Sequence, residues 1–374
     1  MTKLYTIILT MAVLLITACN SHSDIDEAVE EGNAVYLQAT ATWGENTQSA
    51  KASTRAHWQS NRKFMWDNNS DQMAVLIANA DDVVPWGNRG YSYATVKKMA
   101  DTEDGKSQAS LKSNSGILKS DLDKLHIGTT PVYFFSPLSK LNGSDSEYSP
   151  DTKCVTFSLP NVFTQSAKGK LEEFAPYTYI YAPSVITAVN KSTVEAAPSV
   201  FKGVPAVIHF SVTNEKNTQI KIRKVEISMS EGGFPKTMNL KPIGASLLPL
   251  DLNVWQTVTT NIGANGAGDM VGEHADYYIY VFPTAIVSGE NIYTFPASNV
   301  AGATFTLKIY EEEDDPVNLT EHSTLPIANR LFLGNHIYTC NLRVQDTSLT
   351  LLLDGIEVQT ISDWQAGVSG TTNW

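Results

Sequence analysis

The sequence predicts an all-β protein built as two tandem β-sandwiches, and three observations carry that expectation. Apolar and polar residues alternate with period 2 in segment after segment from residue 34 onward, while runs with a 3.6-residue period are scarce. The chain has 374 residues, the size of two domains of about 150 residues each. An aromatic run that meets a proline recurs at VYFFSP (132–137), YIYAP (179–183) and YIYVFP (278–283). Proline has no donor for a β-ladder, so each of these strands is expected to end there or to lie at an edge.

Composition narrows the function classes. Hydrophobic residues make up 42% and charged residues 18%, which supplies a packed core and excludes general disorder. A net charge of −12 leaves no basic footprint for nucleic acid or for an anionic membrane surface. Three cysteines are too few for a disulfide scaffold.

The first element is a signal segment over residues 1–18. Lys3 precedes an apolar run from Leu4 to Ala18, too short for a comfortable membrane span and ending in a small residue before Cys19. Residues 19–33 follow as an acidic tether carrying Asp24, Asp26, Glu27, Glu30 and Glu31, with too little apolar surface to order itself. The first strand comes next, with Val35, Leu37, Ala39, Ala41 and Trp43 on one face. An N-terminal sandwich is expected over 34–200 and a C-terminal one over 201–374, divided by NKSTVEAAPSVFKG.

Within the first unit, Val155, Phe157 and Leu159 alternate, and Ser110 to Leu125 is the best helical candidate. Within the second, Ile208, Phe210 and Val212 form a strand. Ile220 and Ile222 begin another, and after a slip in phase Val225, Ile227 and Met229 continue it. Phe305, Leu307 and Ile309 alternate, as do Tyr338, Cys340, Leu342 and Val344. Near the end, Asp354-Gly355 is the strongest hairpin signal in the chain, because a type I′ turn needs positive φ at both central positions. The expected hairpin pairs 349–353 with 356–361 and offers Leu349, Leu351, Leu353, Ile356 and Val358 as its apolar side chains.

A search for chemistry finds none. The seven histidines form no HExxH motif and stand near no cysteine at zinc spacing; His209 is expected to face solvent from its strand. No GxSxG elbow or phosphate-binding glycine loop is present. Cys154 and Cys340 read as buried free thiols rather than an interdomain disulfide. Asp67, Asn69 and Asp71 alternate like calcium ligands, but Gln72 and Ala78 stand where the loop needs glycine and glutamate. The acidic run 311–315 reads as a solvated hairpin tip, with calcium binding as the alternative. The chain is therefore expected to be no enzyme and to carry no cofactor and no metal.

The order of these features resembles the fimbrillins, the type V pilins of the Bacteroidales. The resemblance rests on Cys19, which matches the lipidated cysteine of a lipobox, on the strand at 35–43, and on Thr54-Arg55-Ala56. It also rests on the aromatic-to-proline strands, on Gly334-Asn335-His336-Ile337-Tyr338, and on Ile361-Ser362-Asp363-Trp364. One departure is Gly203, where family members often carry a histidine ahead of the first strand of the second domain. The resemblance implies two transthyretin-like sandwiches with Greek-key-type strands in a lipoprotein precursor exported to the cell surface. It implies an outer-membrane lipid anchor on Cys19, a trypsin-like maturation protease acting after Arg55, and polymerisation with homologous pilin subunits by strand exchange. In that scheme cleavage removes the first strand, and the C-terminal hairpin is the donor that refills its groove. Recovering about five apolar contacts is worth on the order of 5–10 kcal/mol before the ordering cost. A second reading is a lipid-anchored adhesin, tip or anchor subunit that binds glycan or host protein without polymerising. Trp58, Trp66 and Trp86 would stack on sugar rings in that reading and pack in the core otherwise.

Overall fold

The structure, a computed structural model, describes residues 35–43, 57–58, 64–65, 72–77, 92–98, 107–117, 119–136, 148–149, 154–167, 171–241, 246–249, 253–288, 291–294, 303–313, 318–328, 330–346 and 348–360. It is all-β: among the described residues the helical turns are Lys119–Leu122, Leu171–Tyr177 and Ala264–Gly266.

The first half closes on itself. Its strands are β1 (Tyr36–Trp43), β2 (Gln72–Ile77), β3 (Ser92–Lys98), β4 (Ser107–Ser113), β5 (Pro131–Ser136), β6 (Ile180–Val189), β7 (Thr193–Ala196) and β8 (Ser199–Gly203). Antiparallel pairing runs from β6 through β5, β2, β3 and β4 to β1. On its other edge β1 pairs in parallel with β7 and then β8, both of which pair antiparallel with β6. β7 and β8 occupy one place in succession, so the ring has an odd number of places and closes only with one parallel seam. That seam is β1 against β7 and β8.

The second half packs two sheets face to face. Its strands are β9 (Ala206–Asn214), β10 (Ile220–Met229), β11 (Thr257–Ile262), β12 (His274–Val281), β13 (Thr304–Glu312), β14 (Leu319–Ser323), β15 (His336–Val344) and β16 (Leu352–Thr360). One sheet runs β12-β9-β15-β16, and the other places β11, β10, β13 and β14 side by side. Ile208, Phe210 and Val212 from the first and Val225, Ile227, Leu307 and Ile309 from the second are fully buried, the alternation expected of a sandwich core. Two strands from the earlier half join this region: Val162–Gln165 lies parallel to β11, and Cys154–Ser158 pairs antiparallel with Thr237–Lys241.

The chain passes from the ring to the sandwich at residues 204–205, and the GNHIY motif fastens that crossing. Asn335 stands in the left-handed region (φ 62); its Oδ1 accepts from Gly203 N (2.8 Å) and its own N–H donates to Pro205 O (3.0 Å). A side chain at residue 334 would come within 2.6 Å of Val204 O, so only glycine lets the two segments approach.

Four expectations are corrected. Residues 110–113 belong to strand β4 rather than a helix, because Ala109, Leu111 and Ser113 point inward and both edges of β4 are paired; tertiary pairing overrides local pattern. The strand with Pro183 does not stop there but runs to Val189, since the edge partner changes from β8 to β7 along this stretch and leaves a break in the ladder. Asp354-Gly355 is not a turn: β16 is one continuous strand on β15, with a β-bulge opposite Asn341 and Leu342. Neither residue takes positive φ, and the Asp354 carboxylate is held by Arg343 Nε (2.7 Å) and Nη2 (2.6 Å) instead. His209 does not face solvent: it is 2% exposed, as set out below.

Candidate functional site

The candidate site is built around β1, which is paired on both edges. Period-2 alternation turns Val35, Leu37, Ala39 and Ala41 inward, where they are 0%, 1%, 9% and 0% exposed, and leaves Gln38 outside. One edge runs antiparallel to β4 from Gln38↔Lys112 to Trp43↔Ser107. The other runs parallel to β7 from Tyr36↔Thr193 and to β8 up to Trp43↔Phe201. Side-chain and loop groups complete the ladder at its start: Leu37 N–H donates to Ser113 Oγ (3.0 Å), and Ile117 N–H donates to Val35 O (2.7 Å).

On the outer face, Tyr36, Gln38 and Thr40 line a shallow groove of about 760 Å³ with Lys97, Lys112 and Glu195. Lys112 Nζ stands 4.9 Å from the centroid of the Tyr36 ring, within cation–π range. Withdrawing β1 would break the ring at its parallel seam. The slot left behind would have two unpaired backbone edges of opposite sense, flanked on the inward side by the buried Ala109 and Leu111 of β4, Val194 of β7 and Phe201 of β8. Such a slot is a template for one extended strand.

The expected site residues fall in three places. Cys19, Arg55, Trp66 and Trp86 lie outside the described residues, as does the side chain of Trp58. Of the five expected donor residues, Leu349 is 65% exposed and Leu351 is 1% exposed, while Leu353, Ile356 and Val358 are half-buried against the core. The bulge switches parity, so Leu353, Ile356 and Val358 stand opposite Leu342, Cys340 and Tyr338 on one face. Ahead of β16, Leu351 N–H donates to Ser323 O (2.8 Å) and Ser323 N–H donates to Leu349 O (3.1 Å). The terminal strand is thereby laced to both sheets of its own sandwich.

The acidic run stands at the end of the β13–β14 hairpin, as expected, but its first two carboxylates are paired rather than solvated. Glu311 and Glu312 belong to β13 and are paired, Glu311 with Lys216 Nζ (2.6 Å) and His322 Nε2 (2.9 Å), Glu312 with Lys221 Nζ (2.6 Å) and Arg223 Nη2 (2.8 Å). Burial opposes ionisation of Glu311, but hydrogen bonds from His322 and Lys216 outweigh it and hold the carboxyl below its ordinary range. Arg223 and then Lys221 hold Glu312 down to about 2. These two carboxylates are committed to basic side chains, not presented to a cation; Asp314 and Asp315 lie outside the described residues.

Cys340 is a buried free thiol, pushed up to about 12 by burial. His209 stacks on Tyr278 at 4.8 Å, shares Asp276 Oδ1 through Nε2 (2.7 Å), and meets Thr339 Oγ1 at Nδ1 (3.1 Å). His274 Nε2 reaches the same Asp276 oxygen at 3.2 Å. Sequence reasoning also missed Gln165. Its Oε1 accepts from Tyr278 N (2.9 Å), its Nε2 donates to Asp276 O (3.2 Å), and Thr260 Oγ1 donates to Tyr278 O (2.7 Å). Together they cap the backbone edge of β12, and no motif in the sequence marks a glutamine for that task.

No protein-family model and no curated protein matches the chain. Solved structures do. One is a candidate cell adhesion protein from Bacteroides uniformis, with TM-score 0.47 and 10% identity over 87% of this chain and 98% of that one. Another is the tip fimbrial protein Mfa3 from Porphyromonas gingivalis with C-terminal truncation, with TM-score 0.41 and 13% identity over 87% and 99%. A third is a fimbrial assembly protein from Parabacteroides distasonis, with TM-score 0.36 and 12% identity over 87% and 99%. These structural neighbours are fimbrial and adhesion proteins.

Proposed function

We propose that the chain is a structural subunit of a cell-surface fimbria, exported as a lipoprotein and polymerised by strand exchange. The observation that carries this reading is β1, an N-terminal strand zipped on both edges into a ring that closes only through it. In the proposal, Cys19 carries the outer-membrane lipid, residues 1–18 are the signal, 19–33 the tether, and a trypsin-like protease cuts after Arg55. The two units, expected to divide at 200/201, divide instead after β8 at residues 204–205, and both are read as variants of the transthyretin-like type. Loss of residues up to Arg55 takes β1 with it, and the empty slot accepts a strand from a homologous subunit. Val35, Leu37, Ala39 and Ala41 are all buried; replacing such contacts recovers on the order of 5 kcal/mol, besides pairing two open backbone edges.

The proposal is tested on the cell surface. Fatty-acid labelling is expected to disappear in Cys19→Ser, and material sheared from cells is expected to begin at Ala56. Assembled fibres whose subunits begin at Cys19 would overturn the maturation step.

A further inference from the structure

We propose that the shallow groove on the outer face of β1 binds an acidic saccharide, and that this site exists only while β1 is in place. One wall of the groove comes from β1 and the other from β3 and β4, so the first strand is half of a ligand site as well as part of the ring. Strand exchange is not needed for it, because the groove belongs to the uncut chain.

Register and pleat assemble the groups. Val35, Leu37, Ala39 and Ala41 face inward, so the alternate residues of β1 face outward with their cross-strand partners. Glu195 of β7, Gln38 of β1, Lys112 of β4 and Thr95 of β3 stand in one row. Thr40, Ser110 and Lys97 form the adjacent row on β1, β4 and β3. Lys97 and Lys112 are therefore diagonal neighbours on one face, about 7–8 Å apart at the backbone.

Charge points to an anion. The chain carries a net charge of −12, so carboxylates are plentiful, and lysines on the sheets of the second half take them up. Lys216 pairs with Glu311, Lys221 with Glu312, and Lys308 with Glu226 and Glu321. Lys97 and Lys112 are exposed and have no carboxylate partner among the described residues. The Tyr36 ring, 4.9 Å from Lys112 Nζ, steadies that ammonium over the groove. An anionic group set between two neighbouring ammonium groups gains a charge-assisted contact from each.

The remaining lining points to a sugar. Gln38, Thr40 and Ser110 offer amide and hydroxyl groups that both donate and accept, which suits a ring of hydroxyls. Glu195, at the far end of its row, accepts from Asn190 Nδ2 (3.2 Å); it can accept from a sugar hydroxyl and repels an anion, which sets the acidic group at the lysine end. A peptide strand has no foothold, because both edges of β1 are already paired. The volume, about 760 Å³, lies within the range of small-ligand sites.

Calorimetric titration of the uncut protein, lacking only its signal segment, tests the site with three probes. They are an oligogalacturonate, a sulfated chondroitin oligosaccharide and a neutral cello-oligosaccharide. At least one acidic probe should bind about tenfold or more tighter than the neutral one, and added salt should weaken it. The stronger acidic probe tells whether carboxylate or sulfate is the group recognised. Lys97→Gln and Lys112→Gln should each weaken binding about tenfold, the loss of one charge-assisted contact. Lys202→Gln, an exposed lysine of β8 outside the groove, should change nothing. Protein freed of residues up to Arg55 should lose the binding, because Tyr36, Gln38 and Thr40 leave with β1. Failure of both acidic probes, equal affinity for the neutral one, indifference to both lysines, or binding that survives loss of β1 would overturn the site. Filament formation by the cut protein is read separately, so strand exchange and this site can fail independently.

Discussion

Replacing Leu37 by alanine tests whether β1 is structural in the uncut chain. The side chain is 1% exposed and lies in the buried core beside Val35 and Ala39. Truncation removes about three carbons from that site, and a ring whose strands are held by ladders on both edges cannot collapse far to fill the space. The expected cost is about 3 kcal/mol, within the range for buried Leu→Ala changes. With a urea dependence of about 2 kcal/mol per molar, the unfolding midpoint of the ring should fall by about 1.5 M. Hydrogen–deuterium exchange across a urea series, read on peptides covering 107–113 and 193–203, reports that midpoint from both edges of β1. Gln38→Ala is the control, one residue away on the outer face, and should change stability by no more than about 0.5 kcal/mol. If Leu37→Ala shifts the midpoint no further than Gln38→Ala, β1 is not packed as described and the slot does not exist.

Other outcomes follow from the second half. Glu312 is held down to about 2 by Arg223 and Lys221; a depressed carboxyl stabilises the fold above its unfolded value near 4.5, and that contribution is lost as pH falls toward 2. Glu312→Gln should therefore flatten the acid limb of a stability–pH profile between those values, lowering stability at neutral pH and leaving it little changed below about pH 2, where the carboxyl is protonated in both states. Cys340, pushed up to about 12, should resist alkylation at pH 8 in folded protein and react on denaturation, as read by peptide mapping. His209→Ala should cost about 2–4 kcal/mol in denaturant titration, because it strips Asp276 and Thr339 of a buried partner and Tyr278 of its stack.

Much of this architecture is legible in sequence, and the misreadings have a common physical root. Period-2 alternation located most of the strands, and the slip in phase between Ile222 and Val225 is a β-bulge, where the register of β10 on β13 shifts between Ile222 and Lys224. The same device between Leu353 and Ile356 was hidden by Asp-Gly, the dipeptide most at home in a hairpin. What decided between turn and bulge is Arg343, eleven positions away in sequence and adjacent only once β15 and β16 pair. His209 was legible as a residue on the polar side of its strand, but its burial comes from Tyr278, Asp276 and Thr339 on neighbouring strands. Closure of the ring through a parallel seam has no local signature, because the partners of β1 come from 107–113 and 193–203.

The central claim is that removing β1 converts a closed subunit into one that accepts a strand from another copy. The most direct measurement mixes protein lacking its signal segment with an arginine-specific protease and follows it by SDS gel without boiling and by electron microscopy. Processed protein that begins at Ala56 should give SDS-resistant ladders and filaments, while uncut protein stays monomeric. Protein shown to have lost residues up to Arg55 that nevertheless remains a folded monomer would contradict the account.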